Sequence, residues 1–199
     1  MSNPEIRRAT TADAAAVTDI LARAFLSDPI SGWIFTDPDD RARLHPAFFG
    51  PFVDLVLAAG EIWTTDDHAG ATLWLAVDPA GAEEDDGGLA AAIRAGVGDH
   101  YADRFAVLDE MMTRSHPHDR AHAYLPFIAV APERQGTGVG TALLRHRLAV
   151  LDATGQSGYL EASSPRNQVL YERLGFKPTA VSLDLPTGPS LQPMWRDPS

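Results

Sequence analysis

The spacing of apolar residues along this chain switches between every second residue and every third or fourth, and each switch marks a change of element. Glu5-Ile6-Arg7-Arg8-Ala9 reads as a short strand. Thr10, Thr11 and Asp13 are helix-start residues, and Val17, Leu21, Ala24 and Phe25 follow at helical spacing. Asp28-Pro29 ends that helix, because the residue before a proline is pushed out of the helical region. A short helical segment carries Ile30, Trp33, Ile34 and Phe35; Asp37-Pro38 breaks the chain again, and a third helix is predicted from Asp39 to Ala59. Glu61–Thr65 and Ala71–Val77 are strands around the turn Asp66-Asp67-His68-Ala69-Gly70, which predicts an antiparallel hairpin. Glu83–Gly88 reads as a solvated acidic loop. Ala90 to Arg114 is predicted helical, with Leu89, Ile93, Val97, Phe105, Leu108 and Met112 toward a core and a break near Gly96-Val97-Gly98.

In the second half, a β-type run with Tyr124, Phe127, Ile128 and Val130 leads into a short polar loop. Three alternating glycines follow and open a helix with Leu143, Leu144, Leu148 and Leu151 on one face. Gly155–Gly158 is a turn and Tyr159–Ser163 a strand. Ser164-Pro165-Arg166-Asn167 starts a short helix (Val169, Leu170, Leu174) that stops at Gly175, a residue suited to a left-handed helix end. Val181–Leu185 and Leu191–Trp195 predict a last hairpin around Thr187-Gly188-Pro189. Strands and helices are intermingled without repeats, so the expectation is one α/β domain over residues 1–199 with a mixed sheet.

Composition narrows the function. At 199 residues and 45% hydrophobic, the chain can bury a sizeable core. Its net charge of −11, from 27 acidic against 16 basic side chains, argues against nucleic acid as a partner and mildly favours a cationic substrate. The absence of cysteine removes disulfides, thiolate metal sites and a cysteine nucleophile together. No long apolar run suggests a membrane span, and no signal-peptide core follows Met1, so a cytoplasmic enzyme is expected.

The chemistry concentrates in Pro132-Glu133-Arg134-Gln135-Gly136-Thr137-Gly138-Val139-Gly140-Thr141. Strand, glycine loop and helix is the order in which bare backbone N–H groups at a helix N-terminus hold a phosphate. Two phosphate-binding classes are tested first. A P-loop needs a lysine after the last glycine, and Gly140-Thr141 has none. A dinucleotide fold places an acid about 20 residues on, where Glu161 stands, but it needs GxGxxG directly after the strand and a second half-domain. Here the glycines are spaced GxGxG behind the insert Ala131–Gln135, and only one strand–helix–strand unit exists. Gly155-Gln156-Ser157-Gly158 precedes a strand and is not the GxSxG elbow of a serine hydrolase. His116-Pro117-His118-Asp119 lacks the helical HExxH spacing and a nearby third ligand, so it reads as a loop and no metal is expected.

Gln135-Gly136-Thr137-Gly138-Val139-Gly140 resembles the Q/R-x-x-G-x-G/A coenzyme A signature of the GNAT superfamily of N-acetyltransferases. The Val130-Ala131-Pro132 lead-in and the later Asn167…Tyr171-Glu172-Arg173-Leu174-Gly175-Phe176 sit where that family has them. With Glu161-Ala162-Ser163-Ser164-Pro165-Arg166-Asn167, they are similar to the branch containing puromycin N-acetyltransferase and its actinobacterial relatives. The resemblance covers nearly the whole chain and is weakest over residues 28–60 and 80–120, which would line the acceptor pocket.

What the resemblance implies is a mostly antiparallel sheet flanked by helices, with one parallel strand pair splayed at an acetyl-CoA site. It also implies acetyl transfer to an amine, with a small-molecule acceptor favoured over a protein or peptide amine and over a non-catalytic acyl-CoA-binding module. The amides of Gln135, Gly136, Thr137, Gly138, Val139, Gly140 and Thr141 would cradle the pyrophosphate, and Ile128, Ala129 and Val130 would pair with the pantetheine arm. The Val130 N–H would polarise the thioester carbonyl. Tyr171 matches the family's general acid, against the alternative of a packed helical tyrosine. Asn167 would hydrogen-bond the cofactor or serve the helix start. Many relatives keep their base before the glycine loop, where this chain has Tyr124, Leu125 and Pro126; Glu161 is the substitute, as base, as ammonium binder, or merely as a salt-bridge partner of Arg166. Asp28, Trp33 and Phe35 are acceptor-pocket candidates, with core packing the alternative for both aromatics. The oligomer is left as monomer or homodimer.

Overall fold

The computed structural model describes residues 5–79 and 88–199. The acidic run read as a linker therefore lies, but for Gly88, outside the described residues. In chain order the elements are β1 (Ile6–Arg8), α1 (Ala14–Ala24), α2 (Pro29–Ile34), α3 (Pro38–Ala59), β2 (Glu61–Thr65), β3 (Gly70–Val77), α4 (Leu89–Val97) and α5 (Asp99–Ser115). Then follow β4 (His122–Val130), α6 (Val139–Thr154), β5 (Ser157–Ala162), α7 (Pro165–Glu172), β6 (Lys177–Pro178), β7 (Leu183–Asp184) and β8 (Ser190–Arg196).

Two of the proline breaks are helix starts. Asp28 Oδ1 accepts the Ile30 and Ser31 N–H groups at 2.9 and 3.0 Å, and Asp37 Oδ1 accepts those of Asp39 and Asp40 at 2.8 and 3.1 Å. Each caps a helix whose first residue is proline, where the missing N–H costs nothing. The predicted 90–114 helix divides at Gly98, whose φ of 79° no ordinary helix residue adopts.

The strands form one mixed sheet in the order β1-β2-β3-β4-β5-β8-β6, with β7 on the side of β8. Every pairing is antiparallel except β4 with β5. The expected last hairpin exists, Leu183 facing Leu191, but β8 is also an inner strand between β5 and β6, a long-range placement that local alternation does not encode.

Alternation along the strands sends apolar side chains into two layers. Ile62, Leu73 and Ala129 join α1, α3, α4 and α5 on one face, while Trp74, Leu125, Leu160 and Met194 join α6 and α7 on the other. A bulge sits where Leu73 pairs Phe127 but Leu75 pairs Tyr124, so that Leu125 and Pro126 oppose Trp74 alone. The bulge reverses the faces of β4: Ala123 and Leu125 point toward α6, but beyond it Phe127 and Ala129 point the opposite way. The parallel ladder between β4 and β5 stops at this place, its last pair being Tyr124 with Tyr159. Beyond that pair the two strands diverge and leave a slot.

Candidate active site

One side of the slot is the outer half of β4. The Ala131 N–H donates to the Ala69 carbonyl at 2.9 Å, toward β3. Since successive N–H groups of a strand point to opposite sides, those of Ile128 and Val130 point away from β3, into the slot. Gln135 Nε2 bonds the Val130 carbonyl at 3.2 Å and ties the loop to this strand end.

The other end is the glycine loop. Gly136 and Gly138 have φ of 75° and 92°, and a Cβ at either would meet nothing within 4 Å, so the loop faces open space. The first α-helical bond of α6 runs from the Ala142 N–H to the Gly138 carbonyl at 2.9 Å. The amides from Gly138 to Thr141 are therefore the orphan donors of this 16-residue helix, at the positive end of its dipole. Thr137 turns its hydroxyl back onto the Arg134 carbonyl at 2.6 Å and does not line the cavity described next.

Slot and loop open into one cavity of about 890 Å³. Its lining includes Ile128, Ala129, Val130, Gln135, Gly136, Gly138, Val139, Gly140, Thr141, Asn167 and Tyr171, so most of the predicted cofactor residues are brought together. Asp28 and Glu161 line it as well. Ser164, not Asn167, caps α7; the Asn167 amide donates to Ser163 Oγ at 3.4 Å, and Ser163 in turn donates to Asp28 Oδ2 at 2.6 Å. Burial raises the pKa of Asp28. Tyr171 is 5% exposed and packs against Phe176. Burial, and then the charge of Asp28, push its phenol well above the usual tyrosine range, which keeps the proton on it.

Glu161 lies on the face of β5 opposite Leu160 and Ala162. Its side chain is 2% exposed, so the openness of the residue lies in its main chain, left bare by the splay. Burial raises its pKa from the ordinary 4.5 to about 7, while the Tyr159 and Tyr124 phenols act against that rise by favouring the anion. Among the described residues neither Glu161 Oε1 nor the Tyr159 hydroxyl has a hydrogen-bond partner. Among the described residues no ion pair joins Glu161 to Arg166; Glu161 Oε1 lies 4.0 Å from His116 Nδ1.

Two predicted pocket residues stand elsewhere. Phe35 is fully buried in the core, in ring contact with His45, Phe48 and Tyr101. Trp33 stacks under Arg104 at 4.4 Å and donates to the Pro186 carbonyl at 3.1 Å. For both, packing is the role the structure gives; α2 presents its capping Asp28 to the cavity instead. The aromatic wall that sequence reasoning missed is Phe25, Phe48, Phe49, Phe52, Phe105 and Phe127, in tilted and edge-to-face contacts with centroids 5.0 to 5.8 Å apart. Phe48, Phe49 and Phe52 follow helical spacing in α3, but nothing local tells a cavity wall from a core.

No helix among the described residues is long and apolar enough to cross a membrane. An extended amide-bearing arm ending in a diphosphate suits this geometry: unpaired strand N–H groups, orphan helix donors, and a glycine loop that leaves room beside its backbone. The comparisons agree. The acetyltransferase (GNAT) domain family matches residues 53–178. A Corynebacterium glutamicum structure described as histone acetyltransferase HPA2 and related acetyltransferase is 30% identical and superposes with a TM-score of 0.75, covering 100% of this chain and 98% of that one. Arylalkylamine N-acetyltransferase 2 from Aedes aegypti shares the fold at 14% identity and TM-score 0.66, covering all of both chains. The Escherichia coli ribosomal-protein-S18-alanine N-acetyltransferase does so at 20% identity and TM-score 0.54, covering 98% of this chain and 94% of that one. With more than half its length in that domain and a strand pair opened beside a helix N-terminus, the chain belongs to the GNAT family of acetyl-CoA-dependent acetyltransferases.

Proposed function

We propose that this acetyltransferase modifies the primary amine of a small molecule with an apolar, aromatic-sized body, a metabolite or an antibiotic of the kind the puromycin N-acetyltransferase resemblance suggests. The proposed setting is the cytoplasm, with the enzyme a monomer or homodimer. One observation carries the reading: a single cavity of about 890 Å³ is lined by the orphan amides, the phenylalanine wall, the buried Glu161 carboxyl and the half-buried Asp28. That volume lies at the upper end of small-molecule sites, enough for a pantetheine arm and a compact acceptor together.

Acetyl-CoA supplies an activated thioester carbonyl. The amides of residues 135–141 hold the diphosphate, and the Ile128 and Val130 main chain orients the arm. The Val130 N–H faces the thioester oxygen and favours the negative charge that grows there as the amine attacks, a role worth about 3 kcal/mol in comparable sites. Glu161, with a pKa of about 7, takes the amine proton near neutral pH, where it is still ionised often enough to accept one. Asp28, tied to Ser163 and thereby to Asn167, holds the ammonium form before that transfer. Tyr171 gives its proton to the departing thiolate and is reprotonated by the second proton that the new amide nitrogen sheds, while Glu161 returns the first to solvent.

The test is thiol release from acetyl-CoA with puromycin, aminoglycosides, amino acids, polyamines and N-terminal peptides. Turnover concentrated on small aromatic or apolar amines supports the reading. Turnover with peptides alone would place the chain with protein-amine acetyltransferases. Binding of acetyl-CoA with no acceptor turned over would make it a non-catalytic acyl-CoA-binding module.

A further inference from the structure

Behind Glu161, on the side away from the glycine loop, lie two histidines with no part in the steps above. His116 follows the end of α5, and His122 starts β4 one strand position pair before Tyr124, on the same face. Parallel register sets Tyr124 beside Tyr159, and β5 then carries Glu161 on that face two residues later. The rings of His116, His122, Tyr124 and Tyr159 consequently cluster, with centroids 4.7 to 5.9 Å apart.

The hydrogen bonds in this cluster leave one arrangement of protons. His122 Nδ1 lies 2.9 Å from the Arg120 carbonyl, which can only accept, so Nδ1 carries the hydrogen. A neutral His122 then has a bare Nε2. His116 Nε2 lies 3.0 Å from that atom and must donate to it. The proton of His116 is thereby committed to Nε2, and its Nδ1 is left as a bare lone pair, 4.0 Å from Glu161 Oε1. Both rings are neutral near pH 7: burial, with smaller contributions from His122 and His118, lowers His116 to about 4, and burial lowers His122 too. Glu161 Oε1 is the unpartnered polar atom that this lone pair faces.

We propose that His122 locks the tautomer of His116, and that His116 Nδ1 is the acceptor for the carboxyl hydrogen when Glu161 holds the proton taken from the amine. This rests on the reading of Glu161 as the base. A closing movement of about 1 Å brings the 4.0 Å separation to hydrogen-bond length. A lone pair there disfavours the carboxylate and favours the acid, so His116 and His122 are positioning residues that strengthen the base. The other groups facing Glu161 are the Tyr124 phenol from β4 and the Tyr159 phenol from β5, with Asp109 of α5 acting on Tyr124 and His118 acting on His116. The tyrosines favour the anion and so oppose the histidine.

The experiment joins a spectrum to pH profiles of kcat. In ¹⁵N-edited NMR of the full-length protein near pH 7, His116 should show a protonated Nε2 and a bare Nδ1; the opposite tautomer overturns the proposal without any variant. His122→Phe removes the acceptor and frees His116 to turn an Nδ1–H toward the carboxylate. The acidic limb of kcat should then move down by about one unit or more. His122→Gln, which keeps a side-chain acceptor, should restore it. A limb unmoved by His122→Phe, or moved equally by both variants, refutes the lock. Glu161→Gln is the separate control: full turnover in that variant sinks the base assignment, whereas its loss beside an unmoved His122→Phe limb sinks only the histidine proposal.

Discussion

Glu161→Gln should make the protein inactive and, above neutral pH, more stable. Burial raises the carboxyl from its ordinary 4.5 to about 7. The folded state thus holds this proton more tightly than the unfolded chain, and between those two values it binds more protons. Stability therefore falls as pH rises through the window, fully lost above the folded value and regained below the unfolded one. A shift of this size corresponds to about 3 kcal/mol at pH 8 and about 1 kcal/mol at pH 5. Glutamine has nearly the same shape and no charge to bury, so the variant escapes the penalty. The gain at pH 8 should exceed the gain at pH 5 by about 2 kcal/mol, a differential of roughly 4 to 8 °C in Tm for a chain of this size. Urea and thermal denaturation of both proteins at the two pH values measure it, and thiol release from acetyl-CoA measures turnover. Parallel stability profiles would mean that the carboxylate is not buried as described, and a variant with normal turnover would mean that it is not the base.

Tyr171→Phe should lower kcat by about 10²-fold or more while acetyl-CoA binds with nearly unchanged affinity in calorimetry; weaker binding with normal turnover would assign Tyr171 to packing. Gly138→Asp should abolish acetyl-CoA uptake, because it strains a backbone held at φ 92° and sets a carboxylate where the diphosphate is proposed to lie; undiminished affinity would remove the loop from the site. Phe52→Ala should raise KM for an aromatic acceptor by roughly 10-fold and leave KM for acetyl-CoA unchanged. Equal effects on both substrates would show that the phenylalanine wall does not face the acceptor.

The elements proposed to hold the coenzyme were legible because each depends on neighbours in sequence. Gly136 and Gly138 supply positive φ, and the four orphan amides of α6 follow from any helix start. Alternation in Phe127–Val130 was enough to expect a strand beside them. Less could be read of the acceptor side. Trp33 and Phe35 have the composition of a pocket but lie in packing contacts, while Phe49 and Phe127, from α3 and β4, meet at 5.5 Å only after those elements dock. Glu161 was recognisable as a carboxylate near the site, but its pKa depends on burial by residues distant in the chain.

By itself, then, the sequence determined the strand–glycine-loop–helix unit, the breaks at Asp28-Pro29 and Asp37-Pro38, and the mixed order of elements, all of which are set by backbone preferences over a few residues. Tertiary structure decided the bulge that reverses the faces of β4, the end of the ladder at Tyr124 and Tyr159, and the insertion of β8 beside β5. It also brought the rings of His116 and His122 within 3.0 Å of each other. The sheet features depend on which strands reach each other to satisfy backbone donors, and those partners are far apart in the chain, 54 residues for Leu73 with Phe127 and 35 for Tyr124 with Tyr159. Local propensity carries no information about them, because the same residues would form the same strands and helices in many other arrangements.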